Sequence, residues 1–185
     1  AEIYPVGTGN DKKYELGYLE TVLEGKYRPG HFQGVCQVVH RLLKIVPTGR
    51  LYLGQKDYQQ CMVITKMTEL VHLQTNIVIC PTLREPDGLA MSSRNVRLPG
   101  PKRKKAVIIS ATLSYIKNNI KPNSLKYIKN SSIQNLTSAG FKVDYVEIAD
   151  ARSLQLINDW NGKTPLVALA AAFLDDVRLI DNMLL

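Results

Sequence analysis

The stretch LYLGQKDYQQCMVITKMTELVHLQTNIVICP, from Leu51 to Pro81, decides how this chain folds. Leu51-Tyr52-Leu53 is a short apolar run that reads as a buried strand stopped by Gly54. From Asp57 to about Leu73 the residues Val63, Ile64, Met67, Leu70 and Val71 line one face of a helix. Asn76-Ile77-Val78-Ile79-Cys80, ended by Pro81, is a compact apolar run of the kind a parallel sheet buries. Helix alternating with strand is the signature of an open α/β sheet.

Upstream, Val35, Val38, Val39, Leu42, Leu43 and Val46 predict a helix with one apolar stripe, closed by Pro47-Thr48-Gly49. Residues 1–31 read as irregular, with one short helix near Tyr18 to Leu23. Downstream of Arg84 the character changes. Pro86-Asp87-Gly88 is a turn, and Pro99-Gly100-Pro101 breaks the chain ahead of a helix to about Asn118. A second helix follows Lys121-Pro122-Asn123-Ser124 and ends at Gly140. Val143 to Ile148, Leu166 to Phe173 and Val177 to Asp181 then read as strands, with Asp159 to Gly162 and Asp175-Asp176 as connecting turns. The expectation is an incomplete α/β domain over 1–83 and an α+β domain with a three-stranded antiparallel sheet over 84–185, the boundary falling between Cys80 and Glu85.

With 45% hydrophobic and 22% charged residues, the composition is that of a globular protein. No apolar run approaches the ~20 residues that span a bilayer, which argues against a membrane partner. The opening Ala1-Glu2-Ile3-Tyr4-Pro5 has no signal-peptide pattern and no initiator Met, as if the chain began inside a longer protein. Cys36, Cys61 and Cys80 lack metal-ligand spacing and sit among apolar neighbours, which suggests free thiols in a reducing, cytoplasmic compartment. His31, His40 and His72 form no zinc constellation; His40 reads as lying on the polar face of its helix. The net charge of +8 is concentrated in Lys102-Arg103-Lys104-Lys105 and between Lys117 and Lys129. Such runs are solvated helix faces more often than nucleic-acid grooves.

Gly54-Gln55-Lys56-Asp57 lies where a strand hands over to a helix, the place where open α/β sheets bind ligands. Free N–H groups at the helix start and the Lys56 charge suit an anion. Asp57 and Gln60 also have capping-box spacing, and on these residues alone the purely structural role is the stronger reading. Met91-Ser92-Ser93-Arg94 offers two hydroxyls and a guanidinium able to hold two phosphate oxygens. A Ser cap with one exposed Arg is the alternative. Arg28-Pro29-Gly30-His31-Phe32 puts a cation and an imidazole on a Gly/Pro loop. Glu85 and Asp87 have the chemistry of Mg²⁺ ligands, although a turn explains Asp87 as well.

In order along the chain, Leu23-Glu24-Gly25, Arg28 to Phe32, Gly34-Val35, Gly54 to Gln60, Arg84, Asp87 to Asn95 and Arg178 to Asn182 resemble the bacterial pantothenate synthetase (pantoate–β-alanine ligase) family. The resemblance covers nearly the whole chain and is densest from Asp87 to Asn95. It implies the remainder of a nucleotidylyltransferase-like Rossmann domain, followed by the smaller α+β domain. It also implies an ATP-dependent ligase: pantoate attacks the α-phosphate of Mg-ATP, and the amine of β-alanine then displaces AMP from pantoyl adenylate. On that basis Gly54, Gln55, Lys56, Asp57 and Leu83 lie against ATP, with Lys56 on its phosphates. Met91, Ser92, Ser93 and Arg94 form a phosphate-side loop like the KMSKS loop of class I aminoacyl-tRNA synthetases. Gln60 holds pantoate, Arg28 and His31 line the pocket, and the full-length family member is a homodimer.

Two departures qualify the match. Gln55 stands where the family usually has Glu, which removes a negative charge beside the nucleotide site. The family's HxGH signature, whose histidines grip phosphate, and a second pantoate-binding Gln do not occur in these 185 residues. The expectation is that Ala1 corresponds to a point inside the first domain and that the chain alone is inactive. Another nucleotidylyltransferase-superfamily enzyme is the competing enzyme reading. A basic nucleic-acid-binding fragment built on Lys102 to Lys105 is the competing reading of another class.

Overall fold

Gly30 opens the first long helix, because its φ of 78° lies in the left-handed region that glycine enters without strain. The computed structural model describes residues 13–185; the reading of residues 1–12 as irregular lies outside them. The chain divides into two units, Ala1–Cys80 and Pro81–Leu185, which puts Leu83 in the second.

The first unit contains helices α1 (Glu24–Tyr27) and α2 (His31–Ile45), strand β1 (Arg50–Gly54), a 3₁₀ turn (Gln55–Asp57), α3 (Tyr58–Leu70) and β2 (Asn76–Cys80). β1 and β2 pair in parallel, from Arg50 opposite Asn76 to Gly54 opposite Cys80. Phe32, Cys36 and Leu43 of α2 meet Val63, Ile64 and Met67 of α3, with Tyr14 and Leu16 completing the core.

Three expectations change here. The α2 stripe is rotated: Phe32, Cys36, His40 and Leu43 face inward, while Val38, Leu42 and Val46 are exposed. His40 is therefore buried rather than on a polar face. Burial is possible there because Tyr14 Oη lies 2.7 Å from its Nδ1 and partners that ring nitrogen. The strands are half-buried rather than buried. Side chains alternate across a strand, so Leu51 and Leu53 face the core while Tyr52 between them is 61% exposed.

The second unit opens with a tight loop closed by hydrogen bonds from Glu85 N–H to Leu89 O and from Met91 N–H to Leu83 O. A 3₁₀ helix (Ser93–Arg97), α4 (Gly100–Ala106), α5 (Ile108–Asn119), β3 (Asn123–Ser124), α6 (Lys126–Ser138), β4 (Lys142–Asp150), β5 (Asp159–Trp160), β6 (Leu166–Leu174) and β7 (Val177–Leu184) follow. β4, β6 and β7 form an antiparallel sheet with β6 at its centre. Ala168, Ala170 and Ala172 on β6 are small enough to let α5 approach, and Ile109, Leu113, Ile116 and Leu136 fill the space above them. Asp159–Trp160, expected as part of a turn, instead pairs with Asn123–Ser124. Leu125 N–H reinforces the pair by donating to Asn158 O.

Arg84 ties the opening loop to β7. Its guanidinium donates to both carboxylate oxygens of Asp181, at 2.7 and 3.0 Å, and to the carbonyls of Gly88 and Asn182. Arg178 of the same C-terminal motif donates to Asp144. These motif residues act as structure. No helix among the described residues is long and apolar enough to cross a membrane.

Candidate active site

The chemistry proposed from sequence falls into two groups. Arg28, His31 and Gly54 to Gln60 belong to the first unit; Leu83 and Met91 to Arg94 belong to the second.

Gly54 ends β1, and the 3₁₀ turn Gln55–Asp57 leads directly into α3. Its φ of −74° and ψ of 129° suit any residue, and a Cβ there would meet nothing within 4 Å. The fold itself therefore does not require glycine at this position, and the space above it is open. Asp57 sits at the N-cap of α3 but makes no side-chain cap hydrogen bond, so the capping box is not formed. Gln60 has no hydrogen-bond partner among the described residues. The Asp57 carboxylate and the Gln60 side-chain amide are thus not spent on capping α3.

His31 is the first residue of α2 rather than part of a loop, because Gly30 turns the chain one residue earlier. Its imidazole pKa is lowered, first by burial and then by the Arg28 charge, while Glu24 and Asp57 act in the opposite direction. Arg28 pairs with the mostly buried carboxylate of Glu24 at 3.6 Å. His31, Arg28, Glu24 and Asp57 therefore act on one another at the start of α2 and α3. Cys61 is inert by comparison: burial, helped by the Asp57 charge, pushes its thiol up to about 11, and its Sγ lies 3.5 Å from Gly54 O.

In the second unit, Ser92 caps the 3₁₀ helix by accepting from Arg94 N–H at 3.2 Å, so the structural alternative for this serine is realised. Its own hydroxyl proton remains available. Ser93 and Arg94 are exposed, and the Arg94 guanidinium makes no hydrogen bond or ion pair to a described residue. Met91 is exposed beside Leu83, whose carbonyl accepts Met91 N–H at 2.9 Å. Asp87 is not placed as a Mg²⁺ ligand, since Arg103 holds both its oxygens, at 2.7 and 3.1 Å. Those bonds lower the Asp87 pKa below the usual carboxylate range. Lys102 of the same basic run pairs with Asp175, which neutralises part of the charge that suggested nucleic acid.

Two buried amides were missed in the sequence. Gln59 is 3% exposed and makes three hydrogen bonds to the segment from Leu19 to Glu24. Asn95 donates from Nδ2 to Ala90 O and from its backbone to Ser92 O, bracketing the Met91–Arg94 loop. A signal existed for Gln59: with Val63 and Met67 it falls at i, i+4 and i+8, a polar residue on the buried stripe of α3.

The family profile described as "Pantoate-beta-alanine ligase" matches residues 1–184. A pantothenate synthetase of Azobacteroides pseudotrichonymphae is 42% identical over 94% of this chain and 62% of its own length. One from Bacteroides fragilis is 38% identical over 98% of this chain and 64% of its own length. The crystal structure of pantothenate synthetase from Thermus thermophilus, 36% identical, superposes with a TM-score of 0.89 over 98% of this chain and 66% of that one. A pantoate–β-alanine ligase from Francisella tularensis, solved with β,γ-ATP and β-alanine, is 35% identical with a TM-score of 0.68, over 94% of this chain and 57% of that one. The chain thus spans somewhat less than two thirds of the length of the relatives it matches. On the combined weight of profile, identity and fold, the chain belongs to the pantoate–β-alanine ligase family.

Proposed function

We propose that the protein carrying this chain condenses pantoate with β-alanine at the expense of ATP, through a pantoyl-adenylate intermediate, releasing pyrophosphate and AMP. The observation that carries this reading is the junction from Gly54 to Gln60. Its glycine is not required by packing, its helix start has no side-chain cap, and Gln60 is unpartnered among the described residues. A helix-start carboxylate not spent on capping, at the carboxyl end of a strand, suits a ligand site, and family membership says which ligands to test.

In this proposal Gly54, Gln55, Lys56 and Asp57 lie along the nucleotide, with the Lys56 ammonium on its phosphates. Leu83, Met91, Ser92, Ser93 and Arg94 form the second phosphate-contacting group. Their hydroxyl and guanidinium donors stabilise the charge that grows on the phosphate as the pantoate carboxylate attacks the α-phosphorus. Gln60 orients pantoate, and Arg28 and His31 line its pocket. Burial and the Arg28 charge lower the His31 pKa, which favours the neutral ring as a hydrogen-bonding group in that pocket. No cluster of three or more metal-ligating side chains occurs among the described residues. Mg²⁺ would enter with ATP, held by the nucleotide's phosphates and water rather than by a protein cage. The family likeness extends the proposal to a cytoplasmic homodimer without nucleic-acid or membrane partners.

In the full-length protein, Arg94→Ala should raise the barrier to adenylate formation by ~2–4 kcal/mol. Pantoate-dependent pyrophosphate release is the measurement, and an unchanged rate would sink the assignment. Lys56→Ala should weaken ATP-side chemistry more than pantoate affinity; equal losses in both would count against its role.

A further inference from the structure

Leu23 adopts φ 49° and ψ −125°, and Gly25 N–H donates across it to Val22 O at 2.9 Å. That is the first central position of a type II′ turn, where glycine is the expected residue. A buried leucine persists in such a conformation only when its surroundings over-determine it. Gln59 supplies that constraint. Its Nε2 donates to Leu19 O at 2.8 Å and Val22 O at 2.9 Å, and its Oε1 accepts Glu24 N–H at 2.9 Å. One amide therefore grips the peptide groups on both sides of Leu23. Gly25 closes the turn from the other side, where a Cβ would lie 2.3 Å from Glu20 O.

The turn feeds the pocket through a continuous chain of bonds. Arg28 N–H donates to Glu24 O at 2.8 Å, His31 N–H donates to Arg28 O at 3.1 Å, and the Glu24 carboxylate pairs with the Arg28 guanidinium. Moving Glu24 moves all three groups. We propose that Gln59 is a positioning residue: it holds the strained Leu23 turn so that Glu24, Arg28 and His31 are presented in one arrangement to the substrate pocket. The inference rests on the proposed function for the identity of that pocket, but its structural part does not.

The test is made in the full-length protein with Gln59→Met, which keeps the side-chain volume and removes all three bonds. Pantoate-dependent pyrophosphate release should fall about tenfold or more, as small displacements of positioned groups do. The His31 imidazole titration, followed by NMR, should move from its wild-type midpoint while the fold still melts cooperatively. The charges acting on that ring are Arg28, Glu24 and Asp57. In the Gln59→Met background, Leu23→Gly should restore both readouts further than Leu23→Ala, because both remove the side chain and only glycine accepts the turn unaided. A His31 titration unmoved by Gln59→Met, or equal rescue by Gly and Ala, overturns the proposal. A wild-type protein releasing no pyrophosphate would sink the proposed function instead, and the His31 titration would still decide the role of Gln59. Without any change at Gln59, Leu23→Gly should melt higher than Leu23→Ala; the reverse order overturns the strained turn.

Discussion

The two units hold their candidate residues in place by opposite means. In the first, neutral amides do most of the holding, with the Arg28–Glu24 pair as the charged exception: Gln59 fixes the turn before α1, and Gln33 donates to Tyr14 O and Glu20 and accepts Tyr14 N–H. In the second, charges dominate. Arg84 is locked on Asp181, Arg103 on Asp87 and Arg178 on Asp144, with Asn95 as the neutral exception. The difference follows from what each loop crosses. The second unit's loop is fastened to a strand almost a hundred residues later, and a bidentate guanidinium reaches and orients such a contact. The Leu19–Glu24 segment lies within hydrogen-bond distance of α3, where a neutral amide avoids the cost of burying charge.

The comparison breaks most sharply at Arg84. Asp181 has a fully buried side chain, so Arg84→Met leaves its carboxylate without its cation. The expected loss is about 3–5 kcal/mol, read by urea unfolding on the fluorescence of Trp160, the only tryptophan and a residue of the second unit. A loss within ~0.5 kcal/mol, the range of ordinary surface substitutions, would mean that charge does not organise this unit.

The exposed pair Asp87–Arg103 should matter less and only conditionally. The folded pKa of Asp87 is depressed, so its contribution is present above the unfolded-state value and is lost as pH falls through the folded one. Its carboxyl should titrate below the ordinary aspartate range and return to it in Arg103→Met or at high salt. A midpoint unchanged by that substitution would remove Arg103 as the cause.

The smallest effect on folding should come from Gly54→Ala. With ordinary dihedrals and open space around the added methyl, stability should stay within ~0.5 kcal/mol, while ATP binding to the full-length protein weakens. A destabilised but fully ATP-competent variant would reverse the reading of this glycine.

Much of this was legible along the chain. The apolar runs Asn76–Cys80 and Leu166–Leu174 announced their strands, and helical spacing announced α2 and α3. Periodicity did not give the phase of α2. His40 is polar by type but buried by its bond to Tyr14, a residue 26 positions away. The capping box at Asp57 was plausible by spacing and absent in space: Asp57 occupies the N-cap but its side chain makes no cap hydrogen bond.

The sequence by itself determined which elements form and where family chemistry can sit, because propensity, hydrophobic period and motif spacing are local properties. Only the tertiary structure decided what the motif residues do. Gly25 and Arg84 answer to Glu20 and Asp181, and Gln59 rather than its neighbour Gln60 holds the turn at Leu23. Those roles depend on how the chain turns and on which residues it brings together, Arg84 and Asp181 lying 97 positions apart, and a contact is set by where its partner lies in space.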